Sequence, residues 1–174
     1  MNIYTHIFDY LASDPILVGT QATPPLGPFS GLLTGGLWNR PLKRANPNEA
    51  IPSPGSTPAA FGDASEVGRI RYAASLVDHG DFPHIQELDI PTAFRMNIAI
   101  HIYAQAHESG KAQIRLIEER LFDLLHGYRF VTDNGPYARV FFTSRFGIVD
   151  SEEFVGAVTD YCRYDIVSRR REAA

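Results

Sequence analysis

The sequence predicts an α+β domain: a mainly antiparallel β-sheet with an amphipathic helix packed on one face, a short N-terminal helix and a long proline-rich arm. Three observations carry this. Residues 92–104, TAFRMNIAIHIYA, alternate apolar and polar positions, as a strand requires. Residues 109–127 then repeat their apolar positions at helical spacing. Nine of the 12 prolines fall between Pro15 and Pro58, where little regular structure can persist.

Taken in chain order, Ile3, Ile7, Phe8 and Leu11 share one side of a helix over 2–13. Asp14-Pro15 ends it, because a residue before proline avoids helical angles. LLTGGLWNRPL, 32–42, reads as a short strand with a bulge at Gly35-Gly36. Residues 45–66 have almost no core-forming pattern and read as a projecting arm or loop on a single 1–174 domain. Their Pro, Ser and Ala content suits a semi-extended chain.

A strand is expected over 69–78, followed by a turn or long hairpin tip in HGDFPHIQELD. In 92–104, Phe94, Met96, Ile98, Ile100 and Ile102 form one face, and Arg95, Asn97, Ala99, His101 and Tyr103 the other. Ser109 is the expected N-cap of the second helix. Ile114, Ile117, Leu121, Leu124 and Leu125 make its apolar stripe, with Arg115, Glu118, Arg120 and Asp123 in solvent. Gly127 closes it, with His126 in the last turn. Two more strands are expected, over 138–147 and 157–168, joined by a turn or short helical piece in GIVDSEEF.

The net charge of -4 does not favour nucleic acid as a partner of the whole surface. The basic run Arg169-Arg170-Arg171 reads as a solvated end. The single cysteine, Cys162, excludes an internal disulfide framework and a multi-cysteine metal site, and suits a reducing compartment. Met1 to Ala12 carries Asp9 and no basic residue before its apolar positions, unlike a signal peptide. No run approaches the roughly 18 apolar residues of a membrane span. The expectation is a protein made and used in cytosol, or built into a particle there.

Each candidate for chemistry has a plain competitor. His101, His107 and Glu108 could converge on a metal, but their spacing matches no known ligand pattern and a solvated strand histidine is common. His79, Asp81 and His84 are suitable ligand types, yet Gly80 and Pro83 make a plain turn of the same stretch. Glu118, Glu119 and Asp123 would need one desolvated member to work as an acid–base pair, and Arg115 and Arg120 beside them point to surface ion pairing. Glu152-Glu153 after Asp150-Ser151 suits the first turn of a short helix. SGKA lacks both the first glycine and the hydroxyl of a phosphate loop, and there is no nucleophile elbow. Cys162, on a face with Tyr164 and Ile166, reads as a buried inert thiol. Trp38, followed by Arg40, Lys43 and Arg44, is either a core anchor or an interface anchor.

Three stretches together resemble the tail-terminator (tail-completion) proteins of long-tailed bacteriophages. They are the first helix ending in LASDPILVG, the strand-into-helix run FRMNIAIHIYAQAHESGKAQIRLIEERLFDLLHG, and the closing strands VFFTSRFG and TDYCRYDIVSRR. The resemblance covers about two thirds of the chain, and residues 22–66 depart from the usual compact form. It implies a structural virion protein, assembled in the host cytoplasm and residing in the tail or neck. Such proteins form a ring, usually of six subunits, on the head-proximal end of the tail tube. The ring ends tube polymerisation and joins the tail to the head connector or stopper protein. DNA passes through its lumen without specific binding, and there is no catalysis, cofactor, metal or membrane. Expected partner contacts are Trp38, Arg40, Lys43, Arg44, Pro47, Pro52, Pro54, Arg169 and Arg170. The alternatives are another neck component, such as a head–tail connector or stopper, and a small metal-dependent enzyme using the histidines.

Overall fold

The structure is a computed structural model describing residues 3–19, 31–33, 36–38, 73–87, 90–131, 137–151 and 157–169. Its described elements, in order, are α1 (Ile3–Ala12), β1 (Gly36–Trp38), β2 (Ala73–Glu87), β3 (Ile90–Gln105), α2 (Glu108–Leu125), β4 (Arg129–Val131), β5 (Tyr137–Arg145), β6 (Val149–Asp150) and β7 (Ala157–Arg169). Among the described residues the class is α+β, with two helices and one sheet ordered β1-β2-β3-β7-β5-β4, β6 joining β7. Among the described strands, β1 and β2 are the parallel pair and the other pairings are antiparallel. The arm at 45–66 lies outside the described residues.

The alternation in 92–104 becomes the centre of the sheet. Met96, Ile98, Ile100 and Ile102 are buried, and antiparallel register sets them opposite Ile166, Tyr164, Cys162 and Asp160 of β7. Val140 and Ala138 of β5 extend the same face, as do Leu76 and Ala74 of β2. Ile114, Ile117, Leu121 and Leu125 of α2 complete the cluster, with Ile7 and Leu11 of α1, Leu17, Val18 and Leu33. Each fully buried Leu or Ile contributes on the order of 1.5–3 kcal/mol, so this one cluster is the main support of the fold.

Several expectations need correction. Of the two expectations for HGDFPHIQELD, the turn gives way to the far end of a long hairpin: β2 runs through it to Glu87 and pairs with β3 from Ile90, with register shifts between Asp78 and Asp81 and around Ile85. Ser109 is not the N-cap of α2. The helix begins at Glu108, and His107 caps it, its Nδ1 accepting the Ser109 N–H at 3.3 Å. An imidazole nitrogen there takes the part expected of the serine oxygen. Glu118 does not stay in solvent; it is buried. The segment after Gly147 forms β6 over Val149–Asp150, while 152–156 lie outside the described residues. The 32–42 strand is seen as the three residues of β1. The short strand β4, pairing Phe130 with Ala138, has no counterpart in the sequence reading.

The end of α2 agrees with expectation. Gly127 adopts φ +81, the left-handed conformation that glycine takes without penalty, and turns the chain so that its N–H reaches Val140 O at 2.8 Å.

Strand β3 and helix α2 differ in reach. The 16 residues of β3 extend about 54 Å at roughly 3.4 Å each, whereas the 18 residues of α2 extend about 27 Å at 1.5 Å each. A tight turn, in which His107 N–H reaches Gln105 O at 2.7 Å, starts α2 at the C-terminal end of β3. The buried Ile114, Ile117, Leu121 and Leu125 of the helix belong to the same core cluster as Met96, Ile98, Ile100, Ile102 and Ala104 of β3.

Candidate functional site

The interface residues expected from sequence fall mostly outside the described residues: Arg40, Lys43, Arg44, Pro47, Pro52, Pro54 and Arg170. The backbone of Trp38 lies in β1, in register with Ser75, and that of Arg169 ends β7, opposite Ala93. His79, Asp81 and His84 belong to β2, not to a loop. His101 is half-buried and stacks on Tyr161 with ring centroids 5.2 Å apart. His107 is occupied in capping α2, and exposed Glu108 pairs with Lys111 at 3.0 Å. Among the described residues no three His, Cys, Asp or Glu side chains cluster as metal ligands. The Cys162 thiol is buried, and burial pushes its pKa up to about 12, which leaves it protonated and unreactive at neutral pH.

The chemistry concentrates elsewhere. Lys111, Arg115 and Glu118 of α2, Arg145 at the end of β5, Gly147 and Ile148 after it, and Asp160 of β7 line a cleft of about 370 Å³. Glu118 and Asp160 form its acidic part, Glu118 being 7% exposed and Asp160 3%. Asp160 Oδ1 accepts the N–H groups of Gly147 at 2.8 Å and Tyr161 at 2.7 Å. Glu118 Oε2 lies 3.5 Å from Arg145 Nη1, while its Oε1 is buried without a donor among the described residues. Burial, reinforced by the hydrogen bond to Asp160 and the repulsion of its charge, raises the Glu118 pKa to about 7. Two ionised carboxylates only accept, so a hydrogen bond between them needs a shared proton.

No family model and no curated protein matches this chain.

Each member of the pair, though not their meeting, has a sequence signal as a polar residue interrupting apolar positions. Glu118 stands four residues after Ile114 and three before Leu121, inside the apolar stripe of α2. Asp160 stands two residues before Cys162, on the strand face that continues through Tyr164. The abundance of arginines nearby suggests a solvated face instead. Those arginines do lie at the surface: Arg115 is exposed, and the Arg145 side chain is 66% exposed.

The opposite face of the sheet carries a second arrangement. Tyr161 stacks between His101 and Phe146, the latter centroid 4.7 Å away, and the Arg163 guanidinium sits 5.6 Å from the Tyr161 ring. Arg95 and Asn97 bind the Asp165 carboxylate on the same face, Asn97 Nδ2 at 2.9 Å. These contacts stiffen a polar sheet surface on which Phe146 is 66% exposed.

Proposed function

We propose that this chain is a structural virion protein that forms a ring, with six subunits expected, at the head-proximal end of a phage tail tube. It ends tube polymerisation there and joins the tail to the head connector or stopper. The observation that supports this reading is the long β2–β3 hairpin: β2 runs from Ala73 to Glu87, and on its other side, among the described residues, β1 pairs only with Ala73–Ser75. A hairpin of this kind reaches a neighbour with its backbone edge as well as its side chains, the means by which strand-based assemblies recognise one another. Its register shifts twist the edge, which limits indiscriminate pairing while keeping a specific partner possible.

The finer parts of the reading belong to the same proposal. Helix α2 shields one sheet face, and the proline-rich arm at 45–66 clasps an adjacent subunit or ring. An extended proline-rich segment loses less entropy on docking than a flexible one. The acidic net charge of -4 lets DNA pass through the lumen instead of holding its phosphates. Assembly takes place in the host cytoplasm and the product resides in the virion. Among the described residues no helix is long and apolar enough to cross a membrane.

The deciding experiment mixes purified chain with tail tubes. Native mass and electron microscopy should find a closed oligomer on one tube end, and longer incubation with tube subunits should add no length there. A chain that stays monomeric and leaves tube growth unaltered would sink the proposal. A ring that binds the connector but ignores the tube would move the protein to another place in the neck.

A further inference from the structure

Two pairs of like charges stand on opposite sides of the sheet at matching spacing. Arg129 of β4 and Arg139 of β5 are partners in register, and both are exposed. Their neighbours Phe130, Ala138 and Val140 turn into the core shared with the helices, so alternation puts the arginines on the face turned away from it. On α2, Glu119 and Asp123 are exposed and one helical turn apart. We propose that the Arg129–Arg139 pair of one copy of this chain docks on the Glu119–Asp123 ridge of the next, so that copies stack sheet face against helix face. The inference rests on the ring reading and deepens it by naming the two surfaces that meet.

Neither pair is neutralised within the subunit. The Arg139 guanidinium lies over the Phe141 ring at 5.0 Å, and among the described residues no carboxylate bridges to it or to Arg129. Arg120, between the two acids in sequence, feels Asp123 but bonds Asp14, and Arg115, one turn before Glu119, lines the cleft. Like charges directly opposite across two strands are destabilising, as are like charges at i and i+4 on a helix. Each pair therefore costs the isolated subunit stability, and docking removes both costs at once. The spacings agree: cross-strand partners hold their Cβ atoms about 4.5–5.5 Å apart, and i,i+4 residues about 5–6 Å, so each guanidinium can meet one carboxylate. Apolar surface flanks both pairs. Val131 and Tyr137, partners beside the arginines, are 56% and 71% exposed, and Leu116 and Phe122 are exposed beside the acids. Tyrosine and arginine are the residues that most often anchor interfaces. An arginine pair repels its own copy, so the contact is head-to-tail, the kind that closes into a ring when the rotation closes.

The test follows association of the full chain by sedimentation and native mass at low and high salt. The natural chain should self-associate, and less so at high salt. Arg129→Glu with Arg139→Glu should weaken association about tenfold or more, because like charges then face each other across the contact. Glu119→Arg with Asp123→Arg should do the same. Mixing the two reversed chains should restore association, since each offers the charge that the other lacks, whereas a misfolded chain would not be rescued. Should a reversed chain fail to fold by circular dichroism, Arg129→Gln with Arg139→Gln takes its place and should weaken association in the same direction. A natural chain that stays monomeric, an unchanged association in either altered pair, or a mixture of folded reversed chains that does not recover overturns the contact. So does a monomer whose arginine pair instead retains a fluorescent oligothymidylate, which would give this face to nucleic acid. Tail tubes separate the contact from the reading beneath it. Reversed chains that still cap tubes overturn the contact and leave the ring standing, while charge-dependent self-association without capping supports the contact and counts against the ring's place on the tube.

Discussion

Arg120 of α2 grips Asp14, 106 residues earlier in the chain: its Nε reaches Oδ1 at 3.2 Å and its Nη2 bonds Oδ2. The same carboxylate accepts the Leu17 N–H at 2.7 Å, closing the turn that Asp14-Pro15 makes after α1. One side chain therefore both shapes the end of α1 and ties it to the main helix. Burial by itself would raise the Asp14 pKa, but the Arg120 and Leu17 hydrogen bonds and the guanidinium charge outweigh it and hold the carboxyl below its ordinary range. Arg120→Ala leaves an almost buried carboxylate without its cation and should cost about 2–4 kcal/mol in urea unfolding. Asp14→Asn keeps an acceptor for Leu17 and should cost less, about 1–2 kcal/mol. Equal and additive losses would mean the pair is not coupled.

Gly110 offers a test in which helix propensity and packing disagree. It lies in the first turn of α2, where alanine would ordinarily add about 1 kcal/mol of stability. A Cβ at this position would fall 2.0 Å from Gln105 O, a backbone atom that cannot turn away. Gly110→Ala should therefore destabilise by about 1–3 kcal/mol, as overpacking does, and lower the thermal midpoint. A raised midpoint would show that the strand-to-helix turn yields easily.

The dependence of stability on pH has a defined sign. The folded Glu118 pKa is raised from 4.5 to about 7, so the folded state keeps a proton that the unfolded chain gives up in between. Its contribution is complete below the unfolded value and is lost as pH rises through 7. Asp14 behaves oppositely: its lowered pKa contributes above the unfolded value of 3.8 and is lost as pH falls through the folded one. Between pH 5.5 and 8, then, Asp14 is constant and Glu118 varies. The urea midpoint should fall across that window, and Glu118→Gln should remove most of the fall. A natural protein equally stable at both ends would contradict the burial of this acid as a source of strain.

How legible each feature is in the sequence depends on how it is encoded. Period two in FRMNIAIHIYA and the stripe Ile114, Ile117, Leu121 and Leu125 are local patterns, and both appear as read. Gly127 shows the positive φ that a helix end requires. Local signals cut β2 short, because Gly80 and Pro83 mark a turn, whereas pairing with β3 carries the strand through them. Strand β4 has three residues, too few to show a period, and exists through its register with β5. The carboxyl pair lies further out of reach, since Glu118 and Asp160 stand 42 positions apart and acquire meaning only when α2 lies over β7. The interface residues, chiefly in 38–54, fall almost entirely outside the described segments.

Deleting residues 45–66 tests their proposed role as a clasp. Strand β1 ends at Trp38 and β2 begins at Ala73, and the two pair in parallel, so the chain between them must cross over. A parallel connection needs about a dozen residues. Deleting 45–66 leaves 12, enough to keep Gly36 opposite Ala73 and Trp38 opposite Ser75. The shortened chain should unfold at nearly the same urea concentration as the full one, within about 0.5 kcal/mol, because closure entropy changes slowly with loop length. It should nevertheless fail to form closed oligomers or to cap tail tubes, as judged by sedimentation and electron microscopy. Normal assembly of the shortened chain would remove the arm from the interface and leave the β2–β3 hairpin as the remaining contact to test. Loss of folding as well would show that 45–66 supports the β1–β2 pairing and is not a free clasp.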